Sequence, residues 1–131
     1  MEALAIDGAH LYTPRPHRDH RGTFLEAMRG SELASRIGHP MRVAQVNRIV
    51  SRKGAIRGVH YAEVPPGQAK YVSCASGAVF DVVVDLRVGS PTFGRWLGVV
   101  LDDRDCRALY IAEGLGHAVL ALTEEATIYY L

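Results

Sequence analysis

Residues 54–87 read GAIRGVHYAEVPPGQAKYVSCASGAVFDVVVDLR, and this stretch decides the fold of the chain. It contains three short apolar runs, separated by the turn residues Pro65–Gly67 and Ser76–Gly77. Short apolar runs between turn residues are typical of β-strands. Because the same runs carry a histidine, an arginine, a lysine and two aspartates, the stretch predicts a polar site inside a β-barrel.

Lys70 stands out because successive side chains of a strand point to opposite faces. In residues 69–75 it shares a face with Val72 and Cys74. A lysine on an apolar face is costly unless it is paired or has a function. The chain has only two lysines, the other being Lys53, against thirteen arginines. This bias favours a specific need for a compact ammonium at position 70.

The next run, residues 79–87, carries two carboxylates on one face. Phe80, Val82, Val84 and Leu86 form an apolar face, and Asp81 and Asp85 share the other face with valines. We expect the apolar face to pack against a second sheet or a second subunit, and the Asp81 face to line a cavity. Two interpretations stay open here: a structural pair between lysine and aspartate, or a functional site.

Composition limits the classes of function. The chain has 131 residues, 48% hydrophobic and 22% charged, which suits one globular domain with a real core. Its formal net charge of +1 gives no reason to expect nucleic acid as a partner. The start of the chain lacks signal-peptide features and no stretch is long enough for a membrane helix, so we expect a cytoplasmic protein. Cys74 and Cys106 lack CxxC spacing and are expected to be reduced thiols.

The remaining chain predicts an all-β domain with one short helix. SELASRIG predicts a helix of about two turns, with Ser31 as N-cap and Gly38 as its end. Residues 13–21 are expected to form a surface loop, followed by a short strand at 23–27. Strands are predicted at 42–50, 55–61, 68–75, 78–87, 96–101, 107–111, 117–122 and 126–131. This number of short strands predicts a sandwich or jelly roll whose interior is the default ligand site.

Two local features need a decision from structure. Arg57 and His60 would point to opposite faces of an uninterrupted strand, but a bulge at Gly58 would turn both towards one cavity. His17, Asp19 and His20 lie close in sequence, but no further ligand lies nearby at suitable spacing, so they are interpreted as an exposed polar loop rather than a metal site.

Several motifs, in order along nearly the whole chain, resemble one family. They are DHRGTFLE at 19–26, QVN at 45–47, AIRGVHY and PPGQAKYV in the opening stretch, FDVVVDLRVGSPTFGRW at 80–96, and LYIAEGLGHAVLAL at 109–122 followed by Tyr130. This pattern is similar to that of the dTDP-4-dehydrorhamnose 3,5-epimerase family. The resemblance implies a cupin-type jelly roll (double-stranded β-helix barrel), usually a homodimer, that epimerises a dTDP-4-keto-6-deoxyhexose at C3, C5 or both, without cofactor or metal.

The resemblance also implies roles for individual residues. His60 would be the general base, Lys70 the cation near the enolate oxygen, Tyr130 the acid on the opposite side, and Asp81 a group that orients a histidine. A proton next to a ketone can be removed only if the resulting enolate is stabilised. The reaction therefore needs a base, a cation and an acid on the opposite side. The implied substrate-binding residues are Arg21, Phe24, Glu26, Gln45, Asn47, Arg57 and His117, some of them reaching across a dimer interface.

Two departures from the family pattern carry expectations of their own. The family's usual Gly-Phe-Ala-His-Gly-Phe run is GLGHAV here, at 114–119, so we expect a different pocket shape. The GLGHAV form resembles members that serve antibiotic deoxysugar pathways and often epimerise one carbon. The chain is expected to be a single epimerase domain, 1–131, lacking the carboxy-terminal part of the family pattern, which includes an aspartate paired with the catalytic histidine.

Other functions remain as alternatives. A metal-dependent cupin enzyme would need a His-x-His motif. This motif is absent at His60, because the next two residues are Tyr61 and Ala62. A non-catalytic nucleotide-sugar binding module would keep Arg21, Phe24 and Asn47 but exchange no protons at the sugar carbons. A ketoisomerase that moves the carbonyl is the third alternative.

Overall fold

The computed structural model describes residues 1–131 and contains twelve β-strands and one α-helix. The elements are β1 (Glu2–Ala3), β2 (Ala9–Tyr12), β3 (His17–Asp19), β4 (Gly22–Phe24), α1 (Gly30–Ile37), β5 (Asn47–Arg52), β6 (Ile56–His60), β7 (Lys70–Ser76), β8 (Ala78–Asp85), β9 (Trp96–Asp102), β10 (Ala108–Ile111), β11 (Leu115–Ala121) and β12 (Glu125–Tyr130). None of its helices has the length and apolar character needed to span a membrane.

The strands form two main antiparallel sheets and one separate hairpin. The six-stranded sheet has the order β1-β2-β10-β7-β12-β5, and the four-stranded sheet has the order β6-β11-β8-β9. Strands β3 and β4 form the hairpin. Neighbours in the sheets are seldom neighbours in sequence, which is the mark of a jelly roll rather than a meander. The predicted fold class, an all-β jelly roll with one short helix, is confirmed.

The main core lies between the two sheets. Because side chains alternate along each strand, each of the two sheets has one apolar face, and this face is directed towards the core. The six-stranded sheet contributes Ala9, Leu11, Val72, Cys74, Leu109, Ile111 and Ile128, and the four-stranded sheet contributes Val79, Val83, Leu101, Leu115, Val119 and Ala121. Cys74 is thus a buried apolar residue, as the sequence predicts, and both cysteines are free.

The outer face of the six-stranded sheet carries a second cluster. Leu33 of α1 packs there with the tyrosines Tyr12, Tyr71 and Tyr110. Two of these tyrosines also fix the chain before the helix, since the Tyr12 hydroxyl donates to the Glu26 carbonyl and the Tyr71 hydroxyl donates to the Ala27 carbonyl. The helix therefore covers the outer face of the six-stranded sheet and does not contribute to the core between the two sheets.

The ends of α1 were only half predicted. Gly38 ends the helix as expected, with a left-handed φ of 84° that favours glycine. The predicted N-cap Ser31 is wrong, because the helix begins at Gly30 and Arg29 occupies the cap without a side-chain hydrogen bond. Glu32 in the first turn instead pairs with the amino terminus of Met1 at 2.8 Å.

The eight predicted strands after residue 41 are all present, with shifted ends. The largest shift is at β5, which begins at Asn47 rather than at residue 42. The surface loop predicted at 13–21 is partly wrong, because His17–Asp19 pairs with Gly22–Phe24. The Asp19 carboxylate closes this hairpin by accepting hydrogen bonds from the backbone N–H and guanidinium of Arg21. The predicted strand at 23–27 accordingly ends at Phe24.

Strand β8 shows which of its two faces is buried. Asp81 and Asp85 are both 0% exposed and point between the sheets, while Phe80 on the outer face packs over Gly98 of β9. The carboxylate of Asp85 accepts hydrogen bonds from the Arg87 guanidinium and from the hydroxyls of Ser90 and Thr92. These contacts hold the turn between β8 and β9 and draw the pKa of Asp85 well below its usual range.

Candidate functional site

A small cavity of about 260 Å³ lies between the two sheets. Five of its eight lining residues are polar: Arg57, His60, Lys70, His117 and Tyr130. All five are predicted site residues. Lys70 and Tyr130 belong to the six-stranded sheet, and the other three belong to the four-stranded sheet. The cavity is therefore bounded by polar groups from two opposing walls.

A β-bulge brings Arg57 and His60 to the same cavity. Along β11, His117 pairs with His60 and Val119 pairs with Arg57, so two residues of β6 oppose the single residue Ala118. This register shift changes the parity of β6, and both side chains line the cavity. Gly58 permits it, because its φ is +127° and an added Cβ would lie 2.6 Å from the His117 carbonyl oxygen. The bulge predicted at Gly58 is confirmed.

Lys70 is a buried cation without a partner in the protein. Its side chain begins β7 on the inner face and is 8% exposed. It forms no ion pair with any carboxylate. Burial consequently lowers the pKa of its ammonium from the ordinary lysine value. Of the two interpretations left open by the sequence, the structural pair between Lys70 and an aspartate is wrong.

Asp81 is paired with His117 instead. Nε2 of His117 donates to Oδ2 of Asp81 at 2.9 Å and lies 2.8 Å from Oδ1. Burial raises the pKa of the Asp81 carboxyl, and the neighbouring His117 acts in the opposite direction. The carboxylate does not line the cavity; it lies behind the imidazole and fixes the orientation of the ring. Asp81 is thus a residue that orients a histidine, and that histidine is His117.

Arg57 is held by a serine that the sequence analysis missed. Its Nε donates to Oγ of Ser51 at 3.0 Å, and Ser51 is 4% exposed on β5 of the opposite sheet. Arg57 forms no ion pair with a carboxylate. The cavity therefore contains two cationic side chains, Arg57 and Lys70, without an acidic partner, which favours an anionic or strongly polar ligand.

A larger cavity of about 690 Å³ adjoins the small one, because Lys70 and Tyr130 line both. The predicted residues Gln45 and Asn47 line this larger cavity, where the Gln45 amide donates to Oδ1 of Asn47 at 2.5 Å. Arg42 adds a further cationic side chain. The two cavities are therefore connected at Lys70 and Tyr130.

Three of the predicted substrate-binding residues lie outside both cavities. Arg21 and Phe24 are on the β3–β4 hairpin, where Phe24 is 67% exposed. Glu26 follows the hairpin and forms an ion pair with Arg29. No group of three or more His, Cys, Asp or Glu side chains is arranged to hold a metal, and this includes the His17–His20 segment.

The site also contains apolar residues that sequence reasoning missed. Ile49, Val119 and Ile128 complete the lining of the small cavity. A signal was present for Ile49 and Ser51, because alternation from Asn47 places residues 47, 49 and 51 on one face of β5. The same alternation places Val119 on the face of His117 and Ile128 on the face of Tyr130, but both are typical core residues by type.

The fold and the site define a class: a jelly-roll protein with a cavity between its sheets that is lined by histidine, lysine, arginine and tyrosine side chains. The family model for dTDP-4-dehydrorhamnose 3,5-epimerase matches residues 3–131. The chain belongs to this family.

Individual relatives agree with this assignment. The chain is 58% identical over 131 residues to the "Probable dTDP-4-oxo-2,6-dideoxy-D-glucose 3,5-epimerase" of Streptomyces antibioticus, covering all of this chain and 64% of that protein. It is similar to the crystal structure of NovW, a 4-keto-6-deoxy sugar epimerase from the novobiocin cluster of Streptomyces spheroides, with a TM-score of 0.97 and 53% identity over 99% of this chain and 65% of that one. The chain thus spans slightly less than two thirds of the length of the first curated relatives it matches.

A third relative was solved as a double mutant. The H60N/Y130F double mutant of ChmJ, a 3'-monoepimerase from Streptomyces bikiniensis, was solved in complex with dTDP. Its TM-score is 0.96 and its identity 51%, over 100% of this chain and 66% of that chain.

Proposed function

We propose that this chain acts as a cofactor-independent epimerase of a dTDP-4-keto-6-deoxyhexose, inverting C3, C5 or both in deoxysugar biosynthesis. The observation that carries the proposal is the placement of His60 and Tyr130 on opposite walls of one small cavity, with the unpaired Lys70 beside them. The activities named for the relatives, all 3- or 3,5-epimerases of dTDP-linked keto sugars, support it.

The geometry suits proton removal next to a ketone. His60 takes the proton from the carbon adjacent to C4, and the electrons move onto the C4 oxygen to form an enolate. The Lys70 ammonium stabilises this oxygen by charge, because it has no competing carboxylate. Tyr130 returns a proton from the opposite wall, and the carbon is left inverted. General acid and base catalysis of this kind contributes roughly 10²-fold to 10⁴-fold to the rate.

The remaining polar residues bind and orient the substrate. His117 is held in its orientation by Asp81, whose carboxylate accepts a hydrogen bond from Nε2–H. Arg57, held by Ser51, supplies a cation next to the sugar. Gln45 and Asn47 in the larger cavity bind the nucleotide part, in agreement with the dTDP named for the ChmJ complex.

We further propose that the working form is a homodimer in which the β3–β4 hairpin completes the site of the partner subunit. Arg21 and Phe24 are exposed and line no cavity shared with the site of their own chain. An exposed aromatic ring beside an arginine is typical of a contact surface. Light scattering gives the mass in solution, and mixing Arg21→Ala protein with His60→Ala protein should restore activity in heterodimers if the hairpin acts in trans.

The proposed activity is tested by solvent exchange. The protein is incubated with dTDP-4-keto-6-deoxyglucose in heavy water, and nuclear magnetic resonance locates the incorporated deuterium. We expect deuterium at C3, C5 or both, and the number of labelled carbons distinguishes one-carbon from two-carbon epimerisation. His60→Ala should abolish the incorporation. Binding of the nucleotide sugar without any incorporation would instead identify a non-catalytic binding module.

A further inference from the structure

The chain has three primary amines, and carboxylates hold two of them. The amines are those of its two lysines, Lys53 and Lys70, and the amino terminus of Met1. Nζ of Lys53 donates to Oε1 of Glu124 at 3.2 Å. The amino group of Met1 donates to Oε1 of Glu32 at 2.8 Å. Lys70 forms no ion pair, so its amine is the one of the three that no carboxylate keeps in the charged form.

The surroundings of Lys70 favour the neutral form of its amine. Its side chain is 8% exposed, and burial lowers the pKa of the ammonium. Only the neutral amine has the lone pair that attacks a carbonyl carbon, and desolvated lysines act as nucleophiles of this kind. The neutral and charged forms coexist, so this reactivity is compatible with a role of the ammonium beside an oxyanion.

A small ligand can reach Lys70 although its side chain is buried. Lys70 lines both the cavity of about 260 Å³ and the adjoining cavity of about 690 Å³. Arg57 lines the smaller cavity from the opposite wall, and its Nε is bound to Ser51. The terminal guanidinium nitrogens of Arg57 are left as donors, and a guanidinium can hold a phosphate through two parallel hydrogen bonds. A ligand in this cavity can therefore present a phosphate to Arg57 and a carbonyl carbon to Lys70.

We propose that Lys70 binds small phosphorylated aldehydes covalently, as an imine formed in the cavity between the sheets, with Arg57 as the partner of the phosphate. The lone pair of the amine adds to the aldehyde carbon, and a proton passes from nitrogen to oxygen to give a carbinolamine. The hydroxyl then takes up a second proton and leaves as water with the electrons of the carbon–oxygen bond, while the nitrogen loses its remaining proton. The products are the imine and one water molecule, and no oxidant or reductant is consumed. His60 and Tyr130 line the same cavity and can transfer these protons.

The experiment uses pyridoxal 5'-phosphate as the probe, because its imine absorbs visible light. The protein is mixed with the probe, borohydride reduces the imine to a stable secondary amine, and mass spectrometry of the peptides locates the label. We expect the label at Lys70, with little at Lys53 or Met1. Pyridoxal, which lacks the phosphate, should bind about 10-fold more weakly, and Arg57→Gln should weaken binding of the phosphorylated probe by a similar factor.

Two lysine variants give the matched comparison. Lys70→Met should lose the imine absorbance, whereas Lys53→Met, the same change at the other lysine, should keep it. Label found mainly at Lys53, or spread equally over the three amines, would overturn the proposal. Equal affinities for pyridoxal and its phosphate would also overturn it, because the ligand class depends on Arg57.

The decision does not require a folded Lys70 variant or an active enzyme. If Lys70→Met does not fold, the position of the label in the unaltered protein decides by itself. The proposal is also independent of the proposed epimerase activity. A protein that incorporates no deuterium in the exchange assay but is labelled at Lys70 would support the imine and contradict only the epimerase activity.

Discussion

Replacing Lys70 by methionine should make the protein more stable and less active. The structure explains the direction of both changes, the gain in stability and the loss of activity. Lys70 is buried and has no carboxylate partner, so its ammonium loses hydration on folding without compensation. Methionine has a side chain of similar length, which can occupy the same space without a charge.

The expected stability change follows from this comparison. The apolar stem of the lysine is already buried, so the substitution adds little apolar area and mainly removes the cost of burying a cation. Replacing even a buried ion pair by apolar groups of similar volume is neutral or stabilising by about 1–4 kcal/mol, and the lone Lys70 ammonium has no paired charge to offset its lost hydration. Since Lys70 also borders two open cavities and keeps some contact with water, we expect the lower end, a gain of about 1 kcal/mol.

The expected change in activity has the opposite sign. If the ammonium stabilises an enolate oxygen, its removal should lower kcat by about 10²-fold to 10³-fold, the usual effect of deleting one such group. Urea unfolding followed by circular dichroism measures stability, and the rate of deuterium incorporation measures activity.

Lys53, the only other lysine, is the matched control. It is exposed and forms an ion pair with Glu124 at 3.2 Å, so Lys53→Met should change stability by no more than about 0.5 kcal/mol and leave activity intact. A loss of stability in Lys70→Met, or full activity in that variant, would refute the assignment of Lys70 as a functional cation.

Three further variants test how the site is built. Gly58→Ala should lower the free energy of unfolding by about 2–5 kcal/mol, because φ is positive at this position and the added Cβ would lie too close to β11. The control Gly22→Ala has a similar φ but open space around it, so it should lose only the part that comes from the backbone. Equal losses in the two variants would contradict the bulge. Ser51→Ala should raise KM about 3-fold to 10-fold with little change in kcat, because Arg57 loses its anchor, and Ser51→Thr should restore it. Asp85→Asn should lower stability at pH 7 by about 3 kcal/mol. Because the pKa of Asp85 is depressed, its contribution to stability is complete above about pH 5 and declines as the pH falls below about 4. The difference in free energy of unfolding between Asp85→Asn and the unaltered protein should therefore narrow in acid. A difference that stays constant with pH would exclude the carboxylate as its source.

Strand parity accounts for most of what could be predicted of the site. Alternation alone placed Lys70 on the inner face of β7 and grouped Asp81 with Asp85, and both assignments agree with the burial. Strand parity failed at the bulge in β6, where the backbone departs from a regular strand. Gly58 was the one residue whose type indicated this bulge. The pairing of Asp81 with His117 rather than Lys70 depends on the register between β8 and β11, which no local pattern specifies.

Short and irregular elements were harder to predict than the long strands. Strands β1 and β2 lie in a mildly apolar segment of twelve residues and gave no periodic signal. Strand β3 was interpreted as part of a loop because Pro14 and Pro16 precede it, although the turn from β3 to β4 is fixed by Asp19 and Arg21. Asn47, Ile49 and Ser51 could have been grouped by alternation, but which of them border a cavity is known only when the opposing sheet is placed.

The most direct test of the central claim separates proton exchange from inversion. His60 and Tyr130 lie on opposite walls, so one residue should remove the proton and the other should return it on the other side. In heavy water, Tyr130→Phe should still incorporate deuterium through His60 but give little inverted product, while the neighbouring control Tyr129→Phe, on the outer face, should invert normally. Inversion by Tyr130→Phe at the normal rate, or deuterium incorporation by His60→Ala, would contradict the two-wall mechanism.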